Sequence, residues 1–318
     1  MTVPYSKRMQ GYGSDFIKEM FAAARNPDLI SFAGGAPAPE LYPLEAFQAA
    51  SDNAFEEWGR TVMAYDGAEG ILPLREIIAK ERMPQMGVNV GPDDIRILSG
   101  SQQGIDFAAR LFIDEGDTII CEYPTYLGAL NSFGAFKPSY VSVPMDNDGM
   151  LMDELEKTLI ANPQAKLLYT VPEFQNPTGI TLAADRRKRM VELAEEHDII
   201  IIEDSPYYEI RFEGENIPAI KSFDTSGDRV IYLGSFSKTL CPGIRLGWVC
   251  ANFEILDRYR VMKEASDFQA STVTQYQVAT FLRDNPLDEL LEESRRVYRA
   301  RRDAALAAIE EFFPDNVE

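Results

Sequence analysis

Lys238 stands among hydroxyl side chains, with Ser237 and Thr239 on either side, Ser235 three residues before it and a second cation, Arg245, seven residues on. That set of groups suits an anion. A lysine close to another cation and partly withdrawn from water loses some preference for its charged form, and the neutral amine can attack a carbonyl to form a Schiff base. A solvated lysine in a Ser/Gly loop is the competing reading of the same stretch.

Other polar residues sit where apolar runs end. Ile199-Ile200-Ile201-Ile202-Glu203-Asp204 is apolar until its last two residues, so Asp204 falls at the rim of a buried strand with Tyr207 just beyond it. A carboxylate there needs a positive partner or several donors, and a structural ion pair serves as well as catalysis. In Val171-Pro172-Glu173-Phe174-Gln175-Asn176-Pro177-Thr178-Gly179, two prolines flank Asn176 and restrict the backbone that carries its amide. Ser99-Gly100-Ser101-Gln102-Gln103-Gly104 reads as a small-residue turn opening a helix over Ile105 to Ile113. Such a turn aims free N–H groups and the positive helix end at one point, with Ser101 adding a hydroxyl and Gln102 its own N–H; a plain helix cap is the alternative. Tyr126, in Glu122-Tyr123-Pro124-Thr125-Tyr126 at a strand's carboxyl end, is either a core tyrosine or an aromatic that stacks on a flat heterocycle.

The elements that must hold these residues alternate. Strands are expected at Ile95 to Leu98, Thr118 to Glu122, Tyr140 to Val143, Leu167 to Val171, Ile199 to Asp204 and Val230 to Leu233, the last bounded by Gly234. Helices over Asp153 to Ala161 and Ala183 to Glu196 separate some of them. Alternation of this kind predicts an α/β sandwich with a mostly parallel sheet, and chemistry at the strands' carboxyl ends. A short amphipathic piece, Asp15 to Ala24, precedes the Gly34-Gly35 turn. A Gly-rich turn after Tyr65 opens a helix reaching about Arg82, and an arginine-rich helix covers about Leu287 to Phe313.

Composition narrows the partners. The 318 residues carry 31 Lys plus Arg against 51 Asp plus Glu, a net charge of −20, which repels nucleic acid and leaves any attraction for an anionic ligand to local groups. The single histidine, His197, lies near a helix end and fits a surface residue favoured by the helix dipole; one histidine there argues against a Ser-His-Asp triad or a multi-histidine metal site. Cys121, Cys241 and Cys250 make no metal-ligand spacing, and the odd count predicts reduced thiols in the cytoplasm. Neither an apolar leader nor a run of membrane-spanning length is seen, so a secreted or membrane-bound protein is not expected.

Asn-Pro-x-Gly at 176–179, Asp-x-x-Tyr at 204–207, and Ser-x-x-Lys with Arg at 235–245 followed by Leu-Gly-Trp come in the order and separations of a known group. The chain resembles the class I aminotransferases of fold type I over nearly its whole length. It is nearest the branch with the 2-aminoadipate and kynurenine aminotransferases, through Ser-Phe-Ala-Gly-Gly, Ser-Gly-Ser-Gln-Gln and Glu-x-Pro-Thr-Tyr. The resemblance implies a pyridoxal 5'-phosphate cofactor, amino-acid and 2-oxo-acid substrates, and a homodimer. It implies that Lys238 forms the Schiff base and serves as general base, that Asp204 keeps the pyridine nitrogen protonated, and that Asn176 and Tyr207 hydrogen-bond the ring hydroxylate. It further implies that Tyr126 stacks on the ring, and that Ser101, Gln102, Ser235 and Arg245 hold the phosphate together with Tyr65 from the partner subunit. The Gly35 backbone and Asn176 would border the substrate. The segment before the Gly-Gly turn is a substrate gate in some relatives, and Lys18 in it matches no specificity residue.

The implied division is an arm and gate at 1–45, a cofactor-binding large domain at 46–286, and a connecting helix with the start of an incomplete small domain at 287–318. In the family the small domain carries the arginine that clamps the substrate α-carboxylate. Arg295 and Arg299 match the connecting helix instead, so neither is given that role. Amino-group transfer is the leading expectation. A β-lyase on the same cofactor, or a cofactor-binding module without turnover such as a regulator's effector domain, are the alternatives.

Overall fold

Runs of consecutive apolar residues account for the centre of the molecule, because each strand there is covered on both faces. The computed structural model describes residues 3–9, 28–29 and 35–314; the helix expected over Asp15 to Ala24 lies outside them. Eight strands form one sheet: β1 (Ile95–Leu98), β2 (Thr118–Tyr123), β3 (Ser139–Asp146), β4 (Gly149–Met150), β5 (Leu167–Thr170), β6 (Ile200–Asp204), β7 (Val230–Ser235) and β8 (Gly247–Cys250). Their order is β1-β8-β7-β6-β5-β2-β3-β4. The five central strands, β7 through β3, pair parallel, while β8 pairs antiparallel with both β7 and β1, and β4 with β3.

The helices, in chain order, are α1 (Leu44–Trp58), α2 (Leu72–Ile77, continued by a π-helical turn to Arg82), α3 (Ser101–Phe112), α4 (Leu127–Gly134), α5 (Met152–Ala161), α6 (Ala184–Glu196), α7 (Phe253–Ser266), α8 (Thr272–Asp284) and α9 (Leu287–Phe312). Successive strand residues serve opposite faces. Ile231 and Leu233 of β7 join Phe107, Phe133, Tyr169 and Tyr259 under α3, α4 and α7. Val230 faces the other way, toward Leu155, Met190 and Leu193 of α5 and α6, and Tyr232 toward Leu74, Trp248 and Phe281. Each fully buried Leu, Ile or Phe in these clusters contributes about 2 kcal/mol of transfer free energy. Two helix starts are capped by side chains, Asn252 accepting from Ile255 N and Ser271 from Thr274 N.

Strand β3 extends to Ser139–Asp146 at both ends, other strand ends shift by a residue, and two differences bear on the site. Strand β7 runs through Gly234 to Ser235, because its last residues still pair with Trp248 and Gly247 of β8. Helix α3 begins at Ser101, four residues before the expected start, so the residues read as a turn form its first turn. The expected sandwich with a mostly parallel sheet is the observed architecture.

Candidate active site

The carboxyl ends of β5, β6 and β7 and the amino end of α3 converge. Asp204 is the last residue of β6, opposite Leu233 of β7, and is 3% exposed. The Tyr169 hydroxyl, from β5, donates to Asp204 Oδ2 at 2.7 Å. The other oxygen, Oδ1, is buried without a hydrogen-bond partner among the described residues. Burial pushes this carboxyl up to about 6, against the downward pull of the Tyr169 hydrogen bond and the Lys238 charge.

Lys238 lies in the turn that leaves β7. Its Nζ donates to the Gly35 carbonyl at 2.9 Å and stands 5.7 Å from the centroid of the Tyr207 ring. Its pKa is lowered by burial and raised back in part by Asp204. The sequence had suggested Arg245 as the cause; the guanidinium instead turns toward Ser237 Oγ and the carbonyls of Pro242 and Ser99, at 3.3–3.5 Å. Tyr207 is pushed up to about 12 by burial and the Asp204 charge, offset by a hydrogen bond with Asn176. The Asn176 amide and the Tyr207 hydroxyl, the two expected partners of one oxygen, thus act on each other. Tyr126, half-buried, donates to Gln102 Oε1 at 3.4 Å, and its pKa is raised by burial and by Asp204 and lowered by Arg245.

The anion side is built from close backbone approaches. No side chain caps the amino end of α3. A Cβ at Gly100 would stand 2.6 Å from Arg245 Nη2, and one at Gly247 would stand 2.7 Å from both Gly234 O and Ser101 N. Arg245 has φ 49° and ψ 48°, a left-handed conformation that costs a non-glycine residue about 1 kcal/mol and turns its side chain back toward the helix end. Ser235 Oγ accepts from Ser237 N at 3.1 Å beside it.

Lys238, Asp204, Tyr207, Asn176, Tyr126, Ser101, Gln102, Ser235, Arg245 and Gly35 are thus linked by contact or charge. Tyr65 stands apart, 84% exposed, with its ring edge-on to Phe268 at 5.3 Å. Lys18 and Gly34 lie outside the described residues. Arg295 donates to Glu209 O at 2.8 Å and Arg299 to Phe212 O, so both tie α9 to the segment after Tyr207. His197 ends α6 as its C-cap, and the three cysteines are unpaired. Among the described residues no group of three or more His, Cys, Asp or Glu could hold a metal, and no helix is long and apolar enough to cross a membrane.

The sequence reading missed three buried residues beside these. Tyr169 gave no signal, because an aromatic within an apolar strand looks like core. Glu122 is the penultimate residue of β2 and, like Asp204 in β6, the acidic residue that follows its apolar run; that shared pattern could have flagged it. Gln175 precedes Asn176 directly.

The residues present fit pyridoxal phosphate. Asp204 Oδ1 is a buried acceptor with no donor among the described residues, as a place for a protonated ring nitrogen requires. The uncapped α3 terminus with Arg245 beside it suits a phosphate.

Comparisons with known proteins agree. A sequence model of the family "Aminotransferase class I and II" matches residues 28–314. The chain is 38% identical over 318 residues to the aromatic-amino-acid aminotransferase 1 of Thermococcus litoralis, covering 99% of this chain and 76% of that one. It is 34% identical to the 2-aminoadipate transaminase of Thermus thermophilus, over 95% of this chain and 74% of that one. The crystal structure of Pyrococcus horikoshii kynurenine aminotransferase, in complex with PMP, KYN as substrates and KYA as products, superposes with a TM-score of 0.94 at 37% identity. That match covers 99% of this chain and 78% of that one.

Proposed function

The chain belongs to the class I and II aminotransferases, and from that premise we propose how its residues divide the work of transamination. The activity is a pyridoxal-phosphate-dependent transfer of an amino group between an amino acid and a 2-oxo acid. Bound pyridoxal phosphate supplies an aldehyde that condenses with an amine, and a protonated ring that takes up electron density from the substrate α-carbon. The unpartnered, buried Asp204 Oδ1 carries the assignment of residues: a carboxylate costly to bury alone is placed to hold a proton on the ring nitrogen.

Lys238 is the attachment residue and the base. Held by the Gly35 carbonyl and with its pKa lowered by burial, its amine is neutral more often than a surface lysine's and can accept the proton from the substrate α-carbon. Asn176 and Tyr207 orient the ring oxygen, and Tyr126 covers a ring face. The N–H groups of Ser101 and Gln102, the Ser235 hydroxyl and the Arg245 guanidinium hold the phosphate. Gly35 and Asn176 border the substrate, and the names of the relatives support an aromatic, 2-aminoadipate or glutamate-like amino donor. The exposure of Tyr65 supports its reaching a second copy's phosphate site, hence a homodimer. Residues 46–286 form the cofactor-binding domain in this reading, with an arm at 1–45 and a connecting helix from 287. The unpaired cysteines favour the cytoplasm.

The test is a visible absorption spectrum with added pyridoxal phosphate, read before and after a panel of amino acids and then 2-oxo acids. A cofactor band that changes with one amino acid and returns with a 2-oxo acid is the expected result; a band that never responds makes the chain a binding module without turnover. Lys238→Ala should abolish borohydride trapping of the cofactor and lower turnover at least about a thousandfold. A Lys238→Ala protein that still traps cofactor would move the attachment to another lysine.

A further inference from the structure

Two buried residues outside the assigned site join the segments that carry Tyr126 and Asn176. Glu122 is 3% exposed and Gln175 is 2% exposed. The Glu122 carboxylate accepts from Thr170 Oγ1 at 2.5 Å, from Val171 N at 3.2 Å and from Gln175 Nε2 at 3.0 Å. Gln175 Nε2 also donates to Pro124 O at 2.8 Å, while its Oε1 accepts from Thr178 N at 3.1 Å and Thr178 Oγ1 at 2.8 Å. Every hydrogen-bonding capacity of this amide is therefore committed between two segments. On one side lie Glu122 and Pro124, two residues before Tyr126. On the other lies the turn 175–178, which contains Asn176.

The arrangement is costly as mere packing. A buried carboxylate and a buried amide both lose hydration, and an apolar pair of similar size would fill the same space without that loss. What the polar pair adds is direction, since fully satisfied buried networks fix the groups they join. We propose that Glu122 and Gln175 are positioning residues of the transamination site, a buried strap that sets the Tyr126 segment against the Asn176 segment. The proposal rests on the roles given above to Tyr126 and Asn176. Neither strap residue touches the cofactor in this reading, and both act through the segments they hold.

The test begins in the cofactor-free protein. In Gln175→Ala, backbone hydrogen exchange over 123–128 and over 174–180 should both quicken by about tenfold or more, while exchange in α6 stays at the wild-type rate. With cofactor, the dissociation constant for pyridoxal phosphate should rise about tenfold, and kcat at saturating cofactor should fall by more than KM for the amino acid changes. Glu122→Gln keeps the size of the side chain and serves if Gln175→Ala does not fold; it should quicken exchange in the same two segments by at least about threefold. Exchange that changes in one segment only, or in neither, would overturn the strap. So would a folded variant whose cofactor affinity and kcat stay within about twofold of wild type. Loss of coupled exchange is read without cofactor, so a failure of the strap is distinguishable from a failure of the assignments it serves. A wild-type protein that shows strap-dependent exchange but whose spectrum is blind to Tyr126 and Asn176 substitutions would overturn those assignments.

Discussion

Asp204 holds its charge where the fold gives it little help: one donor, from Tyr169, and the field of Lys238. Its folded pKa is raised to about 6 from an ordinary 3.8, so between those values the native protein keeps a proton that the unfolded chain gives up. Stability therefore falls as pH rises through that window, and above about 6 the cofactor-free protein carries the full cost of a buried, half-partnered charge. Asp204→Asn removes that cost and keeps an acceptor for Tyr169. The cofactor-free variant should melt higher than wild type at pH 8 and match it at pH 3.5 to 4, while losing most of its turnover; equal melting temperatures at both pH values would show that the aspartate is better solvated than its surroundings indicate. This trade of stability for function also explains which residues the sequence disclosed. Asp204, Asn176 and Lys238 interrupt apolar or proline-bounded runs with polar groups that a core has no use for, and such interruptions are visible in one dimension. Tyr169 and Gln175 act by where their polar tips point, and only the folded sheet brings Tyr169 within 2.7 Å of Asp204.

At the level of elements, the anion side depends on how closely β8 passes the start of α3. Gly247 has no room for a side chain: a Cβ there would meet Gly234 O and Ser101 N at 2.7 Å, both of them backbone. Gly247→Ala should cost roughly 1–3 kcal/mol by forcing the strand and helix apart. Because the group displaced is the Ser101 N–H, added pyridoxal phosphate should raise the variant's melting temperature less than it raises wild type's. Thermal melts with and without cofactor check both, and an unchanged cofactor shift would separate the glycine's packing from phosphate binding. The central parallel strands β5, β6 and β7 were legible because each is built on a run of apolar residues, the pattern that two-sided burial demands. The start of α3 was not, since Ser99-Gly100-Ser101-Gln102-Gln103-Gly104 is as good a turn as a helical first turn. Its helical state is decided by tertiary fit, with Gly104 packed where a Cβ would stand 2.5 Å from Leu233 Cδ2. Strand β8, Gly247–Cys250, was likewise masked by the Ser235-to-Leu246 stretch that runs into it.

For the whole molecule, the residue that does not join the site is the most informative. Tyr65 lies 84% exposed against Phe268, itself 54% exposed, an arrangement that gains little from burial in one chain and, in the proposed dimer, would offer an aromatic arm to the second. A symmetric pair would exchange these arms, so that each site combines Lys238 of one chain with Tyr65 of the other. The consequence is complementation. On the proposed roles Lys238→Ala lacks the base, and Tyr65→Ala should bind cofactor about tenfold more weakly through loss of a phosphate contact, so at limiting cofactor both parents should be poor. A mixed dimer concentrates both defects in one of its two sites and leaves the other with its own Lys238 and the partner chain's Tyr65. Random reassortment of equal amounts should thus restore intact sites amounting to about a quarter of the wild-type number, alongside a sedimentation coefficient that fits twice the chain mass. Activity that only averages the two parents would place Tyr65 outside the partner's site, and a monomer at working concentration would remove the exchange altogether.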